Sequence, residues 1–456
     1  MCGIAGTFGG GAKEARGMLK RIEHRGPDGM GLHQADRAIH GHVRLALVDL
    51  SDASSQPFIG RSSCLSFNGE IWNFKELRQE LQNEGFAFKT SGDTEVLCAL
   101  LERHGILCAL KKLDGMFAFA WTDKDGQTWL ARDSFGKVPL YVAKIGSAFY
   151  WASERKAFPK GMNPVSVPAG HAFNFQSCKW HKWYTLPDSK SISSFEVLSK
   201  LKAGVAKRMT ADAPVCCLIS GGLDSSLILS LAREHHSDLT AFTAVFDRHS
   251  EDAKSARRLC AELGVALVEV PITFDAKSIE EAMRCIEIPS KAQIEIAVLC
   301  LPLAREISRR GFKACLSGEA ADELFGGYGT FCIKAASASD TEVKQLRRES
   351  LAKMARGNFI RCNKAFMSAG VECRLPFMEQ DLVESVIQLG KHDSPAGKGL
   401  LKKASESVLP QWIIKRTKDT FQGGSGISDA IARQIANPIR YYNAEMKRMF
   451  GYLPKD

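Results

Sequence analysis

The sequence predicts two domains of different class, an antiparallel α+β domain followed by a parallel-sheet α/β domain. Up to about residue 184, short apolar runs alternate with turns, and few stretches show helical periodicity. From about residue 195 onward, single apolar runs alternate with longer amphipathic stretches, the pattern of a parallel sheet with crossover helices. Between them, residues 186–194 (LPDSKSISS) are polar, contain Pro and Ser, and read as a linker. The expected domains are 1–185 and 195–456.

In the first part, strands are expected at 38–47, 64–67, 116–122, 128–131 and 149–153, where apolar residues cluster between turns. Apolar residues recurring every three to four positions place helices at 12–23, 73–84 and 94–104. In the second part a helix at 195–208 precedes a strand at 215–219. The alternation continues with helix 225–234, strand 239–245, helix 253–263, strand 266–270, helix 296–309 and strand 313–316. Ligands of such a sheet bind beyond the carboxyl ends of its strands.

Composition narrows the class. The 456 residues are 45% hydrophobic and 25% charged, as in an ordinary globular protein of two or three domains. No apolar run reaches the ~18 residues of a membrane span. MCGIAGTFGG lacks the charged and apolar regions of a signal peptide. Fourteen cysteines without CxxC pairs or zinc spacing fit a reducing, cytoplasmic setting. The net charge of +10 suits anionic substrates such as ATP. The basic residues are spread out and not interleaved with aromatics, which argues against a nucleic-acid partner.

The chemistry begins at Cys2. Removal of Met1 would leave a thiol and an α-amine on one residue, and the amine, with an unperturbed pKa of about 7.7–8.0, can take the thiol proton. A lone cysteine at position two is usually just a small buried residue. Here it heads an ordered series: Cys2-Gly3-Ile4, His24-Arg25-Gly26-Pro27-Asp28, Arg44-Leu45, Asn68-Gly69-Glu70 and Ser91-Gly92-Asp93-Thr94-Glu95. The series resembles the class II glutamine amidotransferase domain, a member of the N-terminal nucleophile (Ntn) hydrolases. The resemblance implies an αββα sandwich, Cys2 as nucleophile, Asn68 and Gly69 as oxyanion donors, and Glu70 lining the pocket. For a glutamine substrate, Arg44 offers a fork to the carboxylate and Asp93 a counter-charge to the ammonium. Arg25 and Asp28 read as residues that fix a loop. The family's G-x-K-P-L-Y appears as Gly136-Lys137-Val138-Pro139-Leu140-Tyr141, with the lysine one place early.

In the second part the strand at 215–219 ends in Ser220-Gly221-Gly222, and Asp224-Ser225-Ser226 open a helix. Glycines let backbone N–H groups approach an anion, and a helix N-terminus adds a positive partial charge. The order is not that of a Walker loop. SGGLDSS resembles the signature of PP-loop pyrophosphatases, which split ATP to AMP and pyrophosphate. That resemblance puts Ser220, Gly221, Gly222, Asp224 and Ser225 on the ATP phosphates. A second turn, Ser317-Gly318-Glu319-Ala320-Ala321-Asp322-Glu323, follows the strand at 313–316. Asp224 and Asp322 suit Mg2+, which takes one or two carboxylates plus phosphate oxygens.

Two more blocks follow in order: Asn363-Lys364-Ala365 with Val371-Glu372-Cys373-Arg374-Leu375-Pro376-Phe377, and Lys418, Phe421, Gly424 and Gly426 in KDTFQGGSG. The whole series resembles the asparagine synthetase family across both domains. It implies ATP and Mg2+ as cofactors, small-molecule substrates, no membrane, and room for a homodimer. Ser317, Gly318, Lys364 and Arg374 fall with the ATP site, Glu319 matches the base that deprotonates ammonia, and Lys418 matches the lysine that neutralises charge on the α-phosphate. The implied reaction turns aspartate, glutamine and ATP into asparagine, glutamate, AMP and pyrophosphate through an acyl-adenylate.

One segment departs from the family. Its aspartate-binding stretch is rich in Thr and Ser with one Arg. Here residues 287–299 read EIPSKAQIEIAVL, with Glu295 near the arginine's place and Lys291 as a substitute cation. Two acceptors stay open: aspartate in a rearranged pocket, or another carboxylate such as a sugar uronate, a peptide or a modified-nucleotide precursor. Intact Cys2, Asp224, Glu319, Asp322 and Lys418 speak against a non-catalytic binding protein.

Overall fold

Residues Gly3–Phe8, read in the sequence only for the neighbouring cysteine, form the first strand of a sheet and are buried along their whole length. A computed structural model describes residues 1–187, 192–392, 397–416, 427–435 and 437–454. The first part holds strands β1 (Gly3–Phe8), β2 (Gly29–Ala35), β3 (Ala38–Arg44), β4 (Phe58–Ile59), β5 (Cys64–Ile71) and β6 (Gly115–Thr122). It continues with β7 (Thr128–Arg132), β8 (Tyr141–Ile145), β9 (Ala148–Ala152), β10 (Val165–Ser166), β11 (His171–Asn174) and β12 (Lys179–Lys182). They make two antiparallel sheets, β10-β8-β9-β1-β3-β2 and β12-β11-β7-β6-β5-β4.

The sheets face each other through aromatic side chains. Trp151 on β9 is fully buried, and its ring lies 5.3 Å from that of Phe175 at the end of β11. Gly6 makes this packing feasible, because a Cβ there would run into the Ile39 carbonyl and the Trp151 ring. Helix Ala12–Arg21 covers the outer face of the first sheet with Met18 and Leu19. Helices Phe74–Asn83 and Asp93–His104 cover the second with Leu77, Leu81 and Leu97. The result is the expected αββα sandwich.

The second part carries β13 (Val215–Leu218), β14 (Thr240–Val245), β15 (Ala266–Pro271), β16 (Ala314–Leu316) and β17 (Glu372–Arg374), all parallel, in the order β15-β14-β13-β16-β17. Chain order reverses between β13 and β16, so a ligand crevice opens at their carboxyl ends. Local signals set the helix ends. Ser193 and Glu196 form a capping box ahead of helix Ser194–Met209. Gly264, at φ 62°, stops helix Glu251–Leu263. Helix Lys291–Arg309 starts five residues before its expected position, because its polar first turn gives no apolar periodicity.

One apolar cluster spans the two parts. Met1, Leu45, Leu47 and Trp72 belong to the same apolar cluster as Ala213, Ala314 and Met367. Among the described residues, no helix is long and apolar enough to cross a membrane.

Candidate active sites

Cys2 stands just before β1, and its surroundings come from three neighbouring elements. Its backbone N–H donates to Asn68 Oδ1 of β5 at 2.9 Å. Leu45 N–H, just past β3, donates to Cys2 Sγ at 3.4 Å. Arg25 Nε donates to the Cys2 carbonyl at 2.9 Å, and Arg25, fully buried, is held by Glu154 at 2.7 Å. Asp28 accepts from Ala46 N–H at 2.8 Å. Arg25 and Asp28 thus fix the loops around the nucleophile. Burial pushes the Cys2 thiol up from its ordinary value, so thiolate formation needs a base at hand.

A small cavity of about 30 Å³ adjoins Cys2 and is lined by Met1, Arg44, Gly69, Glu70 and Asp93 among others. The structure therefore gathers Cys2, Asn68, Gly69, Glu70, Arg44 and Asp93 around one point. Arg44 donates to the Asp49 carbonyl at 2.7 Å, which fixes its fork at the cavity edge. Asp93 opens its helix and accepts from Ile71 N–H at 2.9 Å, and burial pushes its carboxyl up to about 6. Burial, with Glu372 nearby, raises the Glu70 carboxyl well above the usual range. Gly69 has φ 150°, and a Cβ there would strike the Met116 carbonyl, so only glycine fits. The Asn68 amide is engaged at both ends, its Oδ1 by Cys2 and its Nδ2 donating to Ser153 Oγ at 3.3 Å.

The second site lies at the β13–β16 crevice. Ser220 Oγ and Ser225 Oγ are 3.0 Å apart across the glycine turn, and Gly222 caps helix Leu223–Arg233. Gly221 has φ 77°, and a Cβ there would meet the Asp252 carbonyl. A Cβ on Gly318 would lie 2.7 Å from Ser225 N and 2.9 Å from Asp224 C, so the two sequence turns touch backbone to backbone. Ser317 Oγ accepts from Glu319 N–H at 3.2 Å. Ser220, Gly221, Gly222, Asp224, Ser225, Ser317, Gly318, Glu319 and Asp322 thus form one site.

Sequence reasoning missed several of its members. Lys398 Nζ bridges Asp224 Oδ2 at 2.5 Å and Asp322 Oδ1 at 2.7 Å. Both carboxylates therefore aim at one cation position. Arg416 donates to the Gly221 carbonyl at 2.7 Å and pairs with Asp252, clamping the turn from outside. Glu319 sits in a polar cluster. Arg361 pairs with it, Asn358 Nδ2 donates to Glu319 at 2.8 Å and to Glu323 at 2.9 Å, and Cys362 Sγ donates to Glu319 at 3.3 Å. Burial, then the charge of Glu319, pushes the Glu323 carboxyl up to about 7. Lys398, Arg416, Arg361, Asn358 and Cys362 sit in stretches with no phosphate-type turn, and nothing local marks them.

Two expected ATP-site residues are elsewhere. Lys364 is fully buried, pairs with Glu287 and lies 3.2 Å from Tyr141 OH of the first part. Arg374 pairs with Glu372 at 2.6 Å, donates to the Arg208 and Thr210 carbonyls, and lies 3.7 Å from Glu70. Both side chains are committed to the contact between the two parts, not to the glycine turn. Motif membership misled here, because the block 363–377 serves the interface. Glu295 is fully buried, pairs with Lys291 at 2.8 Å and accepts from Ser428 at 2.6 Å. Lys418 lies outside the described residues.

Two family models match the chain. The model described as "Glutamine amidotransferase domain" matches residues 1–213, and that described as "Asparagine synthase" matches 196–353 and 333–440. The glutamine-hydrolyzing asparagine synthetase B of Escherichia coli (strain K12) is 31% identical, the match covering 98% of this chain and 87% of that protein. Glutamine-hydrolyzing asparagine synthetase 3 of Arabidopsis thaliana is 30% identical, over 94% of this chain and 80% of that protein. The nodule enzyme of Pisum sativum is also 30% identical, over 97% and 82%. A glutamine phosphoribosylpyrophosphate amidotransferase structure from B. subtilis superposes over 76% of this chain and 79% of its own, at 19% identity and a TM-score of 0.38, too loosely to bear on the fold. The chain belongs to the glutamine-hydrolysing asparagine synthetase family.

Proposed function

We propose that this chain makes asparagine from aspartate, taking nitrogen from glutamine at Cys2 and activating the acceptor carboxylate with ATP at the β13–β16 crevice. The observation that carries this is the backbone contact of Gly318 with Asp224 and Ser225, which joins a phosphate-type turn to an acidic turn at a topological switch point. The names of the relatives above support aspartate over a sugar uronate, a peptide or a nucleotide precursor as acceptor. The proposed units are 1–185 for glutamine hydrolysis and 195–456 for synthesis. Fourteen free thiols suit a reducing cytoplasm.

In the first half-reaction, the α-amine of processed Cys2, held by Asn68 Oδ1, takes the thiol proton. The thiolate attacks the glutamine amide carbon. Arg44 holds the substrate carboxylate and Asp93 its ammonium. Gly69 N–H and Asn68 Nδ2, once turned from Ser153, receive the oxyanion, a donor of this kind being worth roughly 2.7–4 kcal/mol. Ammonia leaves, and water releases glutamate from the thioester.

In the second half-reaction, an acceptor carboxylate oxygen attacks the α-phosphorus of ATP. Pyrophosphate leaves onto Ser220, Gly221, Gly222 and Ser225 at the helix N-terminus. Asp224 and Asp322 fit Mg2+, since both already reach one cationic nitrogen, and the ion would neutralise pyrophosphate charge there. Ammonia attacks the acyl carbon, AMP leaves, and Glu319 takes the proton. Lys418 would neutralise charge on the α-phosphate. Incubation with [amide-15N]glutamine, aspartate and Mg-ATP tests this. Labelled asparagine in step with glutamate and AMP is expected. Glutamate release with no aspartate-dependent AMP would overturn the acceptor assignment.

A further inference from the structure

A cleft of about 920 Å³ runs along the seam between the two parts. Its volume is that of a small-molecule site, about 300–1,000 Å³. One wall comes from helix Phe74–Asn83 and the loop before helix Asp93–His104. The facing wall comes from the end of helix Ser194–Met209 and the turn after helix Leu223–Arg233.

The lining is basic. Lys75, Arg78 and Lys89 stand on the first wall, and the imidazoles of His235 and His236 on the second. Asp212 is the one carboxylate of the lining, and its Oδ2 already accepts from Asp49 N–H at 2.8 Å. Among the described residues, no carboxylate pairs with Lys75, Lys89, His235 or His236. Cations gathered in a cleft without counter-charges attract an anion from solution. Arg78 is already set for one. Its guanidinium lies 4.4 Å from the centroid of the Phe88 ring, and one nitrogen donates to the Gly92 carbonyl at 2.8 Å. The fork is thereby fixed before a ligand arrives, with N–H groups to spare. Phe74, Phe88 and Met209 add apolar surface, which suits a carbon skeleton over a bare inorganic ion.

The cleft touches the glutamine pocket through two loops. Val48 lines both the cleft and the Cys2 cavity. Ser91 lines the cleft, its N–H donates to Asp49 Oδ2 at 2.8 Å, and the Asp49 carbonyl holds Arg44. Gly92, held by Arg78, caps the helix that Asp93 opens. Both residues assigned to the charged ends of glutamine thus lie within two contacts of the cleft wall.

We propose that this cleft is a regulatory site for a small organic polyanion, phosphorylated or polycarboxylic, whose binding draws the two walls together and tightens glutamine at Arg44 and Asp93. The effect on glutamine rests on the Cys2 pocket proposed above; the binding of the polyanion does not.

In the test, full-length processed protein is titrated at constant ionic strength with inorganic tripolyphosphate and, separately, with citrate, while glutamine hydrolysis is followed without ATP or aspartate. One or both probes are expected to lower the KM for glutamine about fivefold, a typical allosteric coupling. Which probe acts tells the phosphorylated from the polycarboxylic source. The double variant Lys75→Ala, Lys89→Ala changes two exposed side chains. It is expected to keep the basal hydrolysis of wild type and to need about tenfold more probe, as for the loss of two exposed ion pairs. Calorimetry with the same probes reads binding without turnover. Binding at the Ser220 turn is common to both proteins, so their difference isolates the cleft. Equal titrations of wild type and variant overturn the site. A difference in binding with no change in KM overturns the coupling. Absence of glutamate release in wild type overturns the glutamine function instead, and the calorimetric difference still decides the site.

Discussion

The Lys398 ammonium lies 2.5 Å from the Asp224 carboxylate, although 174 residues separate them in the chain. Lys398 also meets Asp322, so one side chain reaches both carboxylates proposed for Mg2+. The Lys398 side chain is 4% exposed, and those of the aspartates 13% and 17%. Lys398→Met removes the ammonium that both carboxylates share. It should lower stability by about 2 kcal/mol in metal-free buffer, less than for a fully buried pair. Mg2+ should restore most of that loss. Thermal melts with and without Mg2+ check it, and equal melting of the two proteins without metal would contradict it.

Gly318 leaves no room for a methyl group. Gly318→Ala should push the acidic turn off the start of helix Leu223–Arg233 and lower ATP-dependent synthesis by about 100-fold, the usual cost of a misplacement near 1 Å. Glutamate release from glutamine should stay within about twofold, because Cys2 and its donors belong to the other sandwich. Parallel assays of glutamate and AMP would separate these effects.

The glutamine pocket should be pH-sensitive through Asp93. Burial raises its carboxyl to about 6, so the group is neutral below that pH and charged above it. The charged form is the one that pairs with a substrate ammonium. kcat/KM for glutamine should therefore fall as pH drops through about 6, while ammonium-driven synthesis shows no matching inflection. Asp93→Asn should remove the inflection and raise KM for glutamine.

Much of this was legible in the sequence, and the exceptions have physical causes. The turns at Ser220 and Ser317 could be read because phosphate chemistry needs glycine and small polar residues in one contiguous stretch. β1 was missed because Gly3 and Gly6 disguise a strand, and Gly6 answers to Trp151, 145 residues away. The Met1–Glu372 pair spans 371 residues and has no local pattern. Lys364 and Arg374 were placed on ATP from their motif, yet their partners Tyr141 and Glu70 come from the first sandwich. Interface residues and ligand residues share one block there, and only the fold separates them.

Cys2→Ala should abolish glutamate release, a loss of at least about 1,000-fold expected when a covalent nucleophile is removed. Synthesis from added ammonium salts should persist, because Cys2 has no part in adenylation. Loss of both activities in a folded variant would contradict two separate sites.

The nucleotide products test the central claim most directly. Phosphorus NMR of the processed protein turning over glutamine, aspartate and Mg-ATP should show AMP and pyrophosphate growing together, both dependent on aspartate. ADP and orthophosphate in their place would contradict adenylation at the Ser220 turn.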